Sequence, residues 1–291
     1  MTRALANPER QEHVNARKVL IAAAIAASFS SVLATLPAQR THAQGRTGAD
    51  FVAPAVFQAA GPDAGALQSV IDAFRAALGG VNNGNAPGPL AAGRREINWD
   101  GGGSLATSSV PTPFAGFLNT RGGLFATPGT GFVQAPLDGL VATFGNPSYE
   151  TAFQPFSAAR LFSPVGSNVT TAQFFVPGSD GAEAATTSGF GVVFSDVDNP
   201  DGSGPGSKRG NRGASTLVEY FDASGQLLYS SFVAASPGDA SLSFLGIAYD
   251  DARIAYVRIT AGDVEPGVDD QARRDVVMMD DFIYGEPQPL P

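Results

Sequence analysis

Cysteine is missing from the 291 residues, histidine occurs twice and tryptophan once. Both histidines, His13 and His42, lie within residues 1–43, which read as an export signal. Arg3, Arg10, Arg17 and Lys18 give this leader a positive start, residues 19–36 an apolar core, and Thr41-His42-Ala43 a small-x-small cleavage site before Gln44. The other reading of residues 19–36 is a retained membrane helix, which Ser28, Ser30, Ser31 and Thr35 weaken. No cysteine follows the apolar stretch, so a lipoprotein anchor is excluded. Cleavage is therefore expected to leave an exported chain, periplasmic or extracellular, with no transmembrane anchor.

What the leader removes decides the available chemistry. Without imidazole or thiol there is no Ser-His-Asp triad and no Cys–His pair. Zinc, copper, haem and iron–sulfur ligation lose their usual donors. No disulfide can staple the fold, although export would permit one. The whole chain has 18 basic and 27 acidic residues. Removing the leader's five basic and two acidic side chains leaves 13 and 25, a net charge of −12 with Lys208 as the only lysine. Such a surface repels nucleic acid and anionic membranes. Carboxylates, hydroxyls and oxygen-bound cations remain.

After the leader, residues 44–60 look loosely held, and one amphipathic helix follows. Leu67, Val70, Ile71, Phe74 and Leu78 recur at helical spacing, with Asp63 as cap and Gly79-Gly80 as stop. Such a lone helix packs on the domain's own core or binds a partner. Residues 79–131 are rich in Gly, Pro, Asn and Ser and are expected to be irregular around Trp99. From about residue 129 the pattern is β, with strands expected at 131–135, 140–144, 159–162, 170–176, 189–196, 215–221, 226–234, 242–248, 253–260 and 276–284. Asp222-Ala223-Ser224-Gly225 reads as a hairpin loop. Many short strands without intervening helices give a mainly β fold: a jelly-roll-like antiparallel β-sandwich with one N-terminal amphipathic helix. The expected layout is a leader (1–43), a helix plus Gly/Pro-rich segment packed on the sandwich (44–128), the sandwich (129–286) and a short tail (287–291).

The run Gly189-Phe190-Gly191-Val192-Val193-Phe194-Ser195-Asp196-Val197-Asp198 and the ending Val276-Val277-Met278-Met279-Asp280-Asp281-Phe282-Ile283-Tyr284 carry a resemblance. They are similar to exported bacterial β-sandwich proteins of the PEP-CTERM type. The closing Asp-Asp-Phe-Ile also resembles the last strand of carbohydrate-binding jelly-roll modules, in which an aspartate commonly ligates structural calcium. The likeness covers residues 129–286. It departs from the first group after Gly285, where no apolar helix and basic tail follow. It implies a fold more than an activity.

Two acidic motifs draw attention. Asp280 and Asp281 interrupt a strand that is apolar on both faces; as neighbours in a strand they should point to opposite sides. A buried carboxylate must be protonated, paired with arginine or bound to a cation. Calcium, a pair with Arg253, Arg258, Arg273 or Arg274, and exposure at the strand end all remain open. Asp196, Asp198 and Asp201-Gly202 alternate as a compact Ca²⁺ loop would, though one residue too long for an EF-hand and without its closing Glu; a solvated loop is the alternative. Asp263, Glu265, Asp269 and Asp270 read as a solvated acidic loop.

Sugar recognition stacks rings on aromatics, for which Trp99, Tyr149, Tyr220, Tyr229 and Tyr249 are available. For Trp99 the alternative is a plug over the sandwich edge. Carboxylate pairs also admit glycoside hydrolysis, but nothing fixes two of them across a cleft. The expected function is non-catalytic binding or structural work outside the cytoplasm, stiffened by Ca²⁺, with carbohydrate or extracellular matrix as partner. A carboxylate-dependent polysaccharide hydrolase and a surface component recognised by another protein are the alternatives.

Overall fold

A computed structural model describes residues 52–198, 216–270 and 274–290. In chain order the strands begin with β1 (Ala55–Gly61), β2 (Arg94–Ile97), β3 (Ser108–Pro111), β4 (Gly123–Ala126) and β5 (Gly131–Ala135). Next come β6 (Leu161–Val165), β7 (Val169–Phe174), β8 (Ala185–Thr186), β9 (Gly189–Ser195) and β10 (Leu217–Phe221). The last are β11 (Leu227–Phe232), β12 (Leu242–Ala248), β13 (Tyr256–Thr260), β14 (Met278–Gly285) and β15 (Gln288–Pro289). The large sheet runs β1-β12-β9-β14-β6-β5-β3, with β2 also paired to β14, and the small sheet runs β11-β10-β13-β7-β4. All pairings between these strands are antiparallel.

The inner faces of both sheets share one core, containing Phe125, Phe174 and Val257 from the small sheet and Phe162, Phe190 and Phe282 from the large one. This is the antiparallel β-sandwich expected from the strand pattern. The large sheet is also covered on its outer face, which the near-continuous apolar runs of β9, β12 and β14 require. Helix α1 (Ala64–Ala77) lays Leu67, Ile71 and Phe74 against Val193, Phe244 and Ile283. Asp63 caps it, its carboxylate accepting from the Ala66 N–H at 3.1 Å. Gly191 and Gly246 face each other across β9 and β12. A Cβ on either would lie 2.8 or 3.1 Å from the Phe74 ring, so two missing side chains make the socket into which the helix sinks its phenyl group.

The rest of that outer face is covered by two short helices, α3 (Leu137–Phe144) and α4 (Tyr149–Ala152), while α2 (Leu118–Arg121) lies before β4. Residues 140–144, expected as a strand, thus belong to a helix. Leu137, Leu140, Val141 and Phe144 follow the i, i+3, i+4, i+7 spacing, and Gly145 ends the helix at φ 66°. The stretch before residue 129 supplies β1 to β4 and is part of both sheets, not a segment laid upon them. The hairpin loop forms as expected, with Asp222 accepting from the N–H groups of Ser224 and Gln226 and Gly225 at φ 82°. No helix among the described residues is long and apolar enough to cross a membrane. Residues 1–43 and Asp201 lie outside the described residues.

The irregular segment after α1 is held by one buried ion pair. Arg95 on β2 donates from Nε and a terminal nitrogen to the two carboxylate oxygens of Glu286, both at 2.6 Å. Glu286 also accepts from Asn83 Nδ2 at 2.8 Å and the Leu90 N–H at 3.1 Å, while Arg95 donates to the carbonyls of Gly84 and Ala86. The tail beyond it is not loose, because β15 pairs with β8. Removing one partner of a buried pair strands the other, at about 3–5 kcal/mol. Glu286→Ala should therefore lower the urea midpoint by that much stability with an unchanged slope, measured by equilibrium unfolding.

Candidate functional site

The two adjacent aspartates of β14 do not point to opposite faces. Met279 pairs with Phe194 and Phe282 with Val192, so β14 carries one more residue than β9 between these points, a β-bulge. Met279 and Phe282 both enter the inner core, and both carboxyl groups meet at Ser157. The Ser157 hydroxyl lies 2.7 Å from Asp281 Oδ1, 3.0 Å from Asp100 Oδ2 and 3.4 Å from Asp280 Oδ1. Asp280 Oδ2 accepts from the N–H groups of Phe156 (2.7 Å) and Ser157 (3.2 Å). Asp100 accepts from Asn98 Nδ2 and from the Arg160 N–H.

All three acids are buried. Burial, then the neighbouring Asp281 charge, pushes the Asp280 carboxyl well above the usual range, against the two N–H donors. Asp281 is raised by burial, opposed by its hydrogen bonds to Ser157 and Asp280. A single hydroxyl hydrogen cannot serve three carboxylates, and burial beside Asp281 favours the protonated form of Asp280. Of the four expected arginines, the three that are described are not the partner: Arg253 pairs with Asp251, Arg258 faces Glu219 at 3.7 Å and Arg274 is exposed; Arg273 lies outside the described residues. Arg75 acts on Asp281 from a distance, held by Glu96 and Asp72. Protein donors thus surround this pair, and among the described residues the sets of three acids whose oxygens converge do not include it.

The second motif fares differently. Ser195 at the end of β9 pairs with Leu242 of β12 and Met278 of β14. The residues just beyond these three strands are therefore neighbours. Asp196 leaves β9 at φ 71°, fully buried, and neither carboxylate oxygen has a hydrogen-bond partner. One of its oxygens and one each of Asp239 and Asp270 lie within 4.8 Å of one another. A second set, Asp198, Asp270 and Asp275, meets the same criterion. Oxygens bound to one Ca²⁺ at about 2.3–2.6 Å must lie no more than about 5 Å apart, which these sets satisfy. Burial first, then the charges of Asp270, Asp198, Asp275 and Asp239, pushes Asp196 up to about 9. Burial raises Asp270 to about 6, partly offset by the Val276 N–H that it accepts at 2.8 Å.

Asp198 and Asp196 are thus brought together, with Asp201 outside the described residues. Asp270, expected in a solvated loop, joins them because the loop is anchored inward. Tyr149 donates to the Val268 carbonyl at 2.8 Å and accepts from the Gly267 N–H at 2.7 Å, and Asn146 donates to Val268 and Asp269. Asp239 and Asp275 carried no motif; only the strand order places them here.

The expected sugar platforms are not on the surface. Trp99 is stacked on Phe162 at 3.7 Å, Tyr149 anchors the acidic loop, and Tyr220 lies in the core; all three are at most 1% exposed. Tyr249 is buried under Arg253, and Tyr229 is half-buried beside Tyr220. Large rings fill the space between two sheets, which leaves none of the first three to meet a ligand.

No family model and no curated protein matches the chain. A solved structure, the K2 cleaved adhesin domain of Lys-gingipain (Kgp), aligns over 66% of this chain and 98% of its own at 7% identity and a TM-score of 0.24. A likeness that slight carries no argument here.

The bulge predicts a pH dependence. Asp280 has its affinity for protons raised by folding, so its contribution to stability is complete at acid pH and is lost as pH climbs above the ordinary carboxylate range. Asp280→Asn keeps an acceptor for Phe156 and Ser157 and a donor toward Asp281 without the titration. At pH 8 this variant should melt above the parent, by roughly 2–4 °C for each kcal/mol relieved, and show a flatter profile between pH 5 and pH 8 in thermal scans.

Proposed function

We propose that this chain is an exported, non-catalytic binding β-sandwich whose strand-end loops are locked by a calcium ion held by Asp196, Asp239 and Asp270. The observation that carries the metal is Asp196: a carboxylate with no access to water, no donor on either oxygen and four acids around it. Burying such a group without a partner costs several kcal/mol, which a divalent cation removes. An all-oxygen donor set suits Ca²⁺, which takes six to eight oxygens and fills vacant positions with water.

Export is supported by the leader, and a non-catalytic role by the lack of imidazole and thiol beyond residue 43. The raised acids are set in a bulge and at strand ends, where their oxygens meet each other and the backbone. The ion would join the ends of β9, β12 and β14 and fix the rim that these loops present. The partner is sought there and on the outer face of the small sheet, not at Trp99, Tyr149 or Tyr220.

Chelation tests the metal. With Ca²⁺ at a hundredfold excess over its Kd, binding to the folded state alone adds about 2.7 kcal/mol. EDTA should therefore lower the Tm by roughly 5–10 °C and Ca²⁺ restore it. Asp196→Asn should abolish that response, whereas Asp281→Asn should retain it. A melting curve unmoved by EDTA sinks the calcium reading.

A further inference from the structure

We infer that the free edge of β11 takes up an extended polypeptide strand from a partner, one that alternates apolar residues and carries a basic residue at the end next to Asp222 and Asp250. The inference rests on the binding reading above and names the kind of partner; it does not need the calcium ion. The two sheets are unequal in width. The ring contacts Phe125–Phe282, Phe174–Tyr284 and Phe174–Phe190 set β4 and β7 over β14 and β9. Further along, Tyr220 of β10 and Tyr229 of β11 pack on the core that holds Leu245 and Ile247 of β12 and Tyr249 just beyond it. The small sheet thus ends over β12, one strand short of β1. Val56 of β1 stands in the inner row with Ile247 and Phe190, yet it is 43% exposed where both of these are fully buried. Gln58, two residues on and facing the same way, is exposed as well. A strand added to β11 would lie across these positions.

The edge itself is open. Among the described residues β11 pairs with β10 alone. The Val233 N–H donates to the Thr216 carbonyl at 2.9 Å, which fixes the phase of the ladder. Tyr229 and Ser231 turn their main-chain groups to β10, and Ser230 and Phe232 turn theirs outward. The Phe232 carbonyl accepts from Ser231 Oγ at 3.0 Å and keeps a second lone pair. No proline and no charged residue guards the run Leu227-Leu228-Tyr229-Ser230-Ser231-Phe232, in which Leu227 and Phe232 are exposed. Three buried hydroxyls of the strands bordering this flank, those of Tyr220, Ser243 and Tyr249, lack a hydrogen-bond partner. A flank with that many polar groups suits main chain, with its N–H and C=O, and not a hydrocarbon tail. Charge then chooses among strands. A second copy would bring a net charge of −9 against itself. Asp222 and Asp250 stand at the end where β10 turns into β11 and β12 finishes, and Arg253, over the Tyr249 ring, is already held by Asp251. A basic residue on the incoming strand complements that end.

The test is a titration of the full chain against a short fluorescein-labelled peptide that alternates valine and threonine between terminal arginines, followed by anisotropy. Saturable one-to-one binding is expected. It should weaken at least about tenfold when every second peptide amide is N-methylated, and weaken again in high salt. Ser230→Pro removes an outward N–H at a place where an edge strand tolerates proline, and should cost about tenfold or more in Kd. Val56→Lys sets a charge under the incoming strand at an exposed position and should do the same, so a misfolded proline variant leaves the test intact. A parent that binds no peptide, or binding unchanged in Val56→Lys and in a folded Ser230→Pro, overturns the inference. A parent that is dimeric in sedimentation and monomeric as Ser230→Pro places a second copy at the edge and overturns it too. The EDTA melting shift, read on the same samples, judges the calcium reading separately, and binding of another partner at the strand-end rim would keep the binding reading after this edge had failed.

Discussion

The central strands of the large sheet are buried on both faces, and that constraint governs the rest of the molecule. Once α1, α3 and α4 cover one side and the small sheet the other, β9, β12 and β14 have no wet surface. Any polar atom in them has to be satisfied by the protein or by something the protein binds. The acids are therefore confined to two places where the ladder is broken: the bulge at residues 280–281 and the ends of β9 and β14.

The two places solve the same electrostatic problem by different means. At the bulge, the turn of backbone at Phe156 and Ser157 aims two N–H groups and a hydroxyl at the pair, and burial favours the protonated form of Asp280. At the strand ends the backbone donors are fewer than the oxygens. The Asp196 carboxylate receives none, and that of Asp270 accepts one, from the Val276 N–H. That surplus of acceptors is what the proposed calcium ion would relieve, and it is a matter of geometry, not of acid count.

Much of this architecture was legible in the residues. The spacing of Leu67, Ile71 and Phe74 marks α1, and 242–248 and 131–135 coincide with β12 and β5. The failures have physical causes. β1 is an Ala-rich edge strand with weak β character, and β2 hides in a charged run because Arg95 is buried by Glu286, 191 residues away. The alternation rule placed Asp280 and Asp281 on opposite faces, since a bulge leaves no mark on composition. Asp196 and Asp198 are visible as a motif and Asp270 as part of an acidic loop read as solvated; Asp239 and Asp275 carry no motif, because only the order β12-β9-β14 brings them in. Aromatic residues were counted as platforms when the distance between the sheets required them as filling.

The position of β14 bears on how such a chain is made. It is the last strand of the large sheet to leave the ribosome, yet it lies in the middle of it, between β9 and β6. Until residue 285 has emerged, the sheet exists as two halves with raw inner edges, and Arg95 waits for a counter-charge not yet synthesised. Translation therefore cannot deliver a closed domain piece by piece. The large sheet therefore closes in one late step, when β14 slots between β9 and β6 and its end brings Glu286 to Arg95.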